Sequence, residues 1–321
     1  MNVDEEILVV GAGVIGLTTA VCIVEAGFSV RVRTAVPAQQ TTSRVAGAMW
    51  GSSFAQPAVS VRRWASIGLH EFRALAEKPH SGVRIARGTL ASRRSSEPPP
   101  PDMFPGVRIN PYGLPPDGFL GAFSVSLPLI DMPRYLDYLC GRLAEAGGVI
   151  EVRPVGDLAE AAEQAATVVN CAGIAARELA RDPALQAVRG EHVVVENPGL
   201  EEFFMEEPIG REWTCFFPHG DRVVLGGTAS QDDWSLDPDP AGARGILARC
   251  AQIEPRLKDA RVIEHQVGLR PTRPVIRVER EHLGAGTLIH NYGHGGSGVS
   301  LSWGCARDVT GWLLAETGAQ P

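Results

Sequence analysis

Apolar and polar positions along the chain fall into two recurring patterns. The first begins with the short apolar run Ile7 to Val10. It is followed by Gly11-Ala12-Gly13-Val14-Ile15-Gly16 and a helical pattern from Leu17 to Ala26 that stops at Gly27. A second strand-like run, Phe28 to Arg33, follows at the spacing of a βαβ unit. The same alternation returns at Asp131. That residue stands where a helix N-cap belongs, Pro133 falls in the first turn, Met132, Leu136, Leu139 and Leu143 recur every three or four positions, and Gly147-Gly148 ends the pattern. Val149 to Val155 then reads as a strand, Asp157 to Ala166 as a short acidic helix, Thr167 to Cys171 as a buried strand, and Ser300 to Glu316 as a closing helix.

The second pattern occupies the intervals. From about 54 to 129 the chain is rich in turn signals, with eight prolines between Ser95 and Gly118, and Pro98 to Pro101 must be loop. From about 190 to 277, runs such as His192 to Val195, Val223 to Leu225 and Val262 to Val267 alternate with Pro, Gly and Asp, as in an antiparallel sheet. The prediction is an α/β protein. A doubly wound dinucleotide-binding domain is assembled from 1–53, 130–189 and 278–321, and an antiparallel β-sheet substrate-binding domain is inserted as 54–129 and 190–277.

Composition narrows the function class. The 321 residues are 44% hydrophobic, enough for about two domains at roughly 150 residues each. With 37 acidic against 30 basic residues the net charge is −7, which argues against a dedicated nucleic-acid binder. No apolar run approaches the roughly 18 residues of a membrane span. The start, Asp4-Glu5-Glu6, is acidic where a signal peptide is basic. Six cysteines without a CxxC pair or metal-ligand spacing suggest reduced thiols, no metal and a cytoplasmic enzyme acting on a small molecule.

The motifs supply the chemistry. Gly11, Gly13 and Gly16 between a strand and a helix allow a tight turn, close approach of backbone to a pyrophosphate, and a helix N-terminus aimed at it. The end of the second strand, Arg31-Val32-Arg33-Thr34-Ala35, lacks the carboxylate that commonly takes the ribose hydroxyls. Thr34 can bond a ribose hydroxyl, whereas Arg33 would suit a 2′-phosphate, so an NADP-dependent dehydrogenase stands as a rival. Thr41-Thr42-Ser43 followed by Gly47-Ala48-Met49 offers hydroxyls to phosphates and small residues to a flat ring. Arg270, stiffened by Pro271 and Pro274, presents a planar fork suited to a carboxylate, although alone it reads as a structural ion pair. His290 and His294, taken singly, read as satisfied core histidines.

Together these stretches resemble the D-amino-acid oxidase family of FAD-dependent enzymes, which includes D-aspartate oxidase. The resemblance rests on VVGAGVIGLTTA at 9–20, TTSRVAGAMWG at 41–51, DMPRYL at 131–136, VVNCAG at 168–173, VVLGGT at 223–228, VGLRPTRPVIRVER at 267–280 and HNYGHGGSGVSLSWGCA at 290–306. It implies a non-covalent FAD. Gly11, Ala12, Gly13, Ile15 and Gly16 would hold the pyrophosphate, and Thr41, Thr42 and Ser43 the phosphate and ribose. Gly47, Ala48 and Met49 would border the isoalloxazine, and Gly295, Gly296, Ser297, Gly298, Val299 and Ser300 would flank its other end. Thr34, Ile174 and Arg270 are also expected at the cofactor.

Arg270 would pair with the substrate carboxylate, and the carbonyl of Gly296 would accept from its amine, with Met49 nearby. The family's carboxylate-binding tyrosine is replaced here by Cys215, a poorer donor whose substitution implies a loss of about 1.5–3 kcal/mol.

The implied reaction is oxidative deamination of a D-amino acid by hydride transfer to flavin N5, giving a 2-oxo acid, ammonia and hydrogen peroxide. Its partners would be the D-amino acid and O2, with no nucleic acid or membrane; a homo-oligomer is compatible with the sequence. Met49, Trp213, Phe216 and Phe217 suggest an apolar wall and neutral substrates. Arg211 would instead meet a second carboxylate and make a D-aspartate oxidase. Glycine or sarcosine oxidase and an inactive flavin-binding module are further alternatives. The last residues, Gly318 to Pro321, lack an SKL-type peroxisomal address.

Overall fold

A computed structural model describes residues 5–51, 55–284 and 286–317; Asp4 and the terminus from Gly318, both used above, lie outside them. In chain order the elements are β1 (Ile7–Val10), α1 (Val14–Glu25), β2 (Val30–Thr34), α2 (Ala58–Ala76), β3 (Val83–Ser92), β4 (Asn110–Pro111) and β5 (Gly121–Ile130). Then come α3 (Met132–Glu145), β6 (Val149–Val152), α4 (Leu158–Gln164), β7 (Thr167–Asn170), α5 (Ala176–Leu179), β8 (Gln186–Glu196) and β9 (Phe203–Glu206). The chain ends with β10 (Glu212–His219), β11 (Arg222–Thr228), β12 (Ser230–Gln231), α6 (Pro240–Ile253), β13 (Val262–Leu283), β14 (Gly286–His294) and α7 (Gly298–Thr317).

The strands join in the order β4-β5-β3-β9-β10-β11-β8-β13-β14-β7-β1-β2-β6, with β12 beside β8. From β14 to β6 the neighbours are parallel, the doubly wound part that the βα alternation predicts. The other pairs are antiparallel except β3 with β9. β13 joins the two parts. Its first half, Val262 to Thr272, pairs with β8, and after a register shift its second half, Arg277 to Leu283, pairs with β14. The shift spans Arg273 to Ile276, where Pro274 cannot donate to a ladder. The proposed division at 277/278 therefore lies within one continuous strand, and the division at 189/190 lies within β8.

Two helices inside the β-rich intervals went unpredicted. α2 buries Val61, Trp64, Gly68, Phe72 and Leu75, spaced at three to four residues, together with Ala65 and Leu69, and packs on α7. Full burial of each large apolar side chain among them contributes roughly 1.5–3 kcal/mol. Trp64 Nε1 donates to Asp308 at 2.7 Å, and Trp50 Nε1 to the Ala65 carbonyl at 3.0 Å. α6 is capped by Asp239, which accepts from the Ala241 and Gly242 N–H groups, and it buries Ile246 and Cys250 on the back of β10, β11 and β8. Asp131 does precede α3, but its carboxylate makes no cap bond and instead receives Arg222 from β11.

α2 and α7 approach so closely that a Cβ on Gly304 would lie 2.3 Å from Trp64 Cα, and one on Gly68 would lie 2.2 Å from the Ser300 carbonyl oxygen. Backbone cannot retreat as a flexible side chain can. Gly304→Ala is expected to destabilise by about 1–3 kcal/mol and lower the melting temperature by roughly 2–8 °C. An unchanged melting curve would show that the helices separate freely.

Candidate active site

The parallel and antiparallel parts of the sheet enclose one elongated cleft of about 1320 Å3. Its first wall is the turn between β1 and α1, where Gly11, Ala12, Gly13 and Ile15 line the space. Gly11 has φ +106°, a conformation open to glycine, and a Cβ there would lie 2.5 Å from the Cys171 carbonyl oxygen. Gly16 is not among the lining residues: a Cβ on it would lie 1.8 Å from the Gly11 oxygen, so its place is the packing of helix on turn rather than the cleft wall. No side chain caps α1 at Gly13, and its N-terminal N–H groups and partial positive charge face the cleft. Ser43 Oγ accepts from the Val14 N–H at 2.9 Å, tying the 41–51 segment to this helix end.

That segment continues the wall with Thr41, Thr42, Ser43, Gly47, Ala48 and Met49. It is pinned on both sides. Ile130 N–H donates to the Ala48 carbonyl at 2.8 Å, Trp50 N–H to the Pro128 carbonyl at 2.9 Å, and Arg44 pairs with Glu264 at 3.0 Å. Thr34 and Ile174 also line the cleft. Thr34 Oγ1 donates to the Val36 carbonyl at 2.8 Å and keeps its acceptor capacity. Arg33 lines it too, but its guanidinium is committed to the Pro154 carbonyl at 2.7 Å and Gln164 Oε1 at 3.0 Å. The feature that favoured a 2′-phosphate is thus already engaged.

At the opposite end, Gly295, Gly296, Ser297, Gly298, Val299 and Ser300 line the cleft around the start of α7. Ser300 Oγ accepts from the Gly51 N–H at 3.1 Å, joining the two walls. A helix N-terminus over a glycine turn, small residues along the cleft, and hydroxyls at its edge fit an extended dinucleotide.

Arg270 closes the floor. The register of β13 with β8 puts Arg270 opposite Val188 and Gly268 opposite Gly190. The guanidinium folds back over Gly190, where a Cβ would lie 2.1 Å from NH1. NH1 donates to the Thr228 carbonyl at 2.9 Å, and the Trp213 ring centroid is 5.8 Å from Cζ. Among the described residues no carboxylate pairs with it, so the structural ion pair expected of a lone arginine is absent here. Burial lowers its pKa from the ordinary value, the signature of a cation held away from water.

Neutral groups surround this cation. Cys215, at 2% exposure, lies in the cleft wall beside His192, and burial pushes its thiol well up, so it is protonated. His192 Nδ1 lies 2.9 Å from the Val45 carbonyl, and burial together with the Arg270 charge lowers its pKa to about 4. Burial lowers His294 to about 3, and its buried Nε2 has no hydrogen-bond partner among the described residues, unlike the satisfied core histidine that the sequence suggests. His290 does read as such a residue, held by Asn170 and Glu281 at 3.3 Å each. Met49, Trp213 and Phe217 line the cleft as apolar walls, whereas Phe216 points to the other face of the sheet and stacks on Phe204 at 5.6 Å. Arg211 is exposed and outside the lining. His192 and Gly190 escaped the sequence reading because only the β8–β13 register brings them under Arg270.

Residues 6–312 match the protein family described as FAD dependent oxidoreductase. The chain is 48% identical over 306 residues to a D-amino-acid oxidase of Rubrobacter xylanophilus, covering 94% of each chain. It is 46% identical over 312 residues to a D-amino-acid oxidase of Streptomyces coelicolor, covering 95% of this chain and 96% of that one. In fold it resembles a glycine oxidase from Geobacillus kaustophilus, with TM-score 0.76 and 19% identity over 99% of this chain and 96% of that one.

The depressed histidines make a prediction about acid stability. His192 and His219, both lowered by burial to about 4, are neutral in the fold, whereas the unfolded chain takes up their protons below the ordinary value of 6.5. The unfolded state therefore binds more protons between about pH 4 and 6.5, and stability rises with pH across that window. Denaturant unfolding at pH 5 and pH 7.5 should give a lower midpoint at pH 5; equal midpoints would mean that these rings are charged in the fold.

Proposed function

We propose, on the premise that this chain belongs to the FAD-dependent oxidoreductase family, that it oxidatively deaminates D-amino acids with molecular oxygen as the final acceptor. FAD, bound without a covalent link, supplies the acceptor for hydride and the route of its electrons to oxygen, with hydrogen peroxide as product. Gly11, Ala12, Gly13 and the N-terminus of α1 would hold its pyrophosphate, and Thr41, Thr42 and Ser43 its phosphate and ribose edges. Gly47, Ala48 and Met49 would lie against the ring, with Gly295 to Ser300 at its other side. A cytoplasmic location belongs to the same reading; among the described residues no helix is long and apolar enough to cross a membrane.

The observation that carries this reading is Arg270, an unpaired cation withdrawn from water on the cleft floor. A substrate carboxylate supplies the missing partner through charge-assisted, bidentate hydrogen bonds. The Gly296 carbonyl would accept from the amine. With both ends of the zwitterion held, one enantiomer turns its Cα–H toward the ring, so catalysis comes from positioning rather than from an acid–base pair. The imino acid then hydrolyses to a 2-oxo acid and ammonia. Neutral Cys215 and His192 leave the Arg270 charge undiluted beside the carboxylate. An acidic side chain finds no cation in Arg211, which lies outside the cleft, whereas Leu90 and Met205 join Trp213 in an apolar lining that offers contacts to a side chain glycine lacks.

Oxygen uptake by the flavin-loaded protein, measured with paired D- and L-amino acids, tests the proposal. Uptake with D-enantiomers alone is expected, and uptake with neither would refute it. Arg270→Ala should keep the flavin absorbance and lose at least about a hundredfold in kcat/KM, since two hydrogen bonds to a charged group contribute about 3–6 kcal/mol. Gly190→Ala, which displaces the guanidinium, should also lower kcat/KM, through a raised KM.

A further inference from the structure

The cleft floor carries unlike charges at its two ends. Arg270 holds one. Following the sheet away from it, Cys215 lies opposite Met205, and Met205 opposite Leu90. Glu207 directly follows β9: its N–H donates to the Ala91 carbonyl at 2.9 Å, and the Ser92 hydroxyl donates to Glu207 Oε2 at 2.7 Å. Side chains alternate across a strand, so Met205 and Glu207 share the cleft face while Glu206 points behind. Leu90, Ser92, Met205 and Glu207 all line the cleft. Glu206 is buried and takes Arg93 Nε at 2.6 Å and the Thr214 N–H at 2.8 Å.

The nearest strand arginine is thereby committed to Glu206, and no cation pairs with half-buried Glu207 among the described residues. Glu97, on the proline-rich segment, adds a second carboxylate to this end of the lining. The lining arginines are Arg33, already engaged, and Arg270. From β9, which Glu207 follows, across β10 and β11 to β8, the strand of Gly190, is three strand spacings, about 14 Å in all. The Trp213 ring and the Met205 side chain lie along that path. This span suits an aliphatic stem with a carboxylate at one end and a cation at the other.

We infer that Glu207 determines side-chain specificity, receiving the terminal cation of a basic D-amino acid whose carboxylate is on Arg270. The substrate class is then that of D-lysine, D-ornithine and D-arginine rather than the neutral class suggested by the apolar walls, and D-aspartate and D-glutamate are disfavoured by like charge. The inference rests on the assignment of the cleft to D-amino-acid oxidation.

The test compares kcat/KM for D-lysine and D-norleucine, which differ in the terminal ammonium, in the flavin-loaded enzyme and in Glu207→Gln. The D-lysine to D-norleucine ratio should fall about tenfold in the variant, the worth of one partly exposed charge-assisted hydrogen bond. Glu207→Lys should reverse the preference, raising D-glutamate relative to D-lysine. A ratio that moves by less than about twofold in both variants, with D-norleucine oxidised by each, overturns the subsite and leaves the oxidase assignment standing. A flavin-loaded wild-type protein that oxidises no D-amino acid overturns the assignment and this inference with it.

Discussion

The site depends on an arginine kept out of water with no counter-ion among the described residues. Removing a guanidinium from solvent is costly unless a partner compensates, and Arg270 has a single carbonyl, Thr228, and the face of Trp213. Gly190 makes this arrangement sterically feasible, because any side chain there would occupy the guanidinium's place. The rest of the fold keeps these groups in register. β8 and β13 run side by side from Thr272 to Val262, and the same β13 then crosses to pair with β14, whose end carries the glycines of 293, 295 and 296. One strand thus connects the cation proposed to bind the carboxylate with the wall proposed for the ring.

Electrostatically, the cleft around this cation is quiet. Burial makes the acid or base groups nearby, Cys215, His192 and His294, neutral rather than reactive. A charged imidazole beside Arg270 would compete for the substrate carboxylate, and a thiolate would neutralise the cation. Their neutrality lets one strong interaction determine orientation, consistent with chemistry that relies on geometry and a cofactor. Glu207, the residue proposed to select the side chain, follows β9, and β10 and β11 separate that strand from β8 beneath the guanidinium.

Much of the nucleotide-binding half was legible from local pattern. β1, the glycine turn and α1 announce themselves through Ile7 to Gly16, and α3 through Met132, Leu136, Leu139 and Leu143, because periodicity and turn chemistry act over a few residues. The long-range features were not. α2 was hidden among polar residues in a segment judged by its prolines, although its Val61, Trp64, Gly68, Phe72 and Leu75 carry a helical spacing. Asp131 was placed at a helix start, yet its carboxylate serves Arg222, a partner 91 residues away. Arg33 suits a phosphate by residue type, but its bonds to Pro154 and Gln164, more than a hundred residues away, commit it elsewhere. Phe216 and Phe217 are adjacent, and strand alternation alone sends one to the cleft and the other to the back; the face of each follows from the register, which local composition does not encode.

The most direct measurement is a crystal structure of the flavin-loaded protein with a D-amino acid or a simple carboxylate bound. The account predicts both carboxylate oxygens within hydrogen-bond distance of the Arg270 guanidinium, with Gly190 beneath it and the Thr228 carbonyl still accepting. A carboxylate bound elsewhere, with Arg270 paired to a protein acid or turned to solvent, would contradict it.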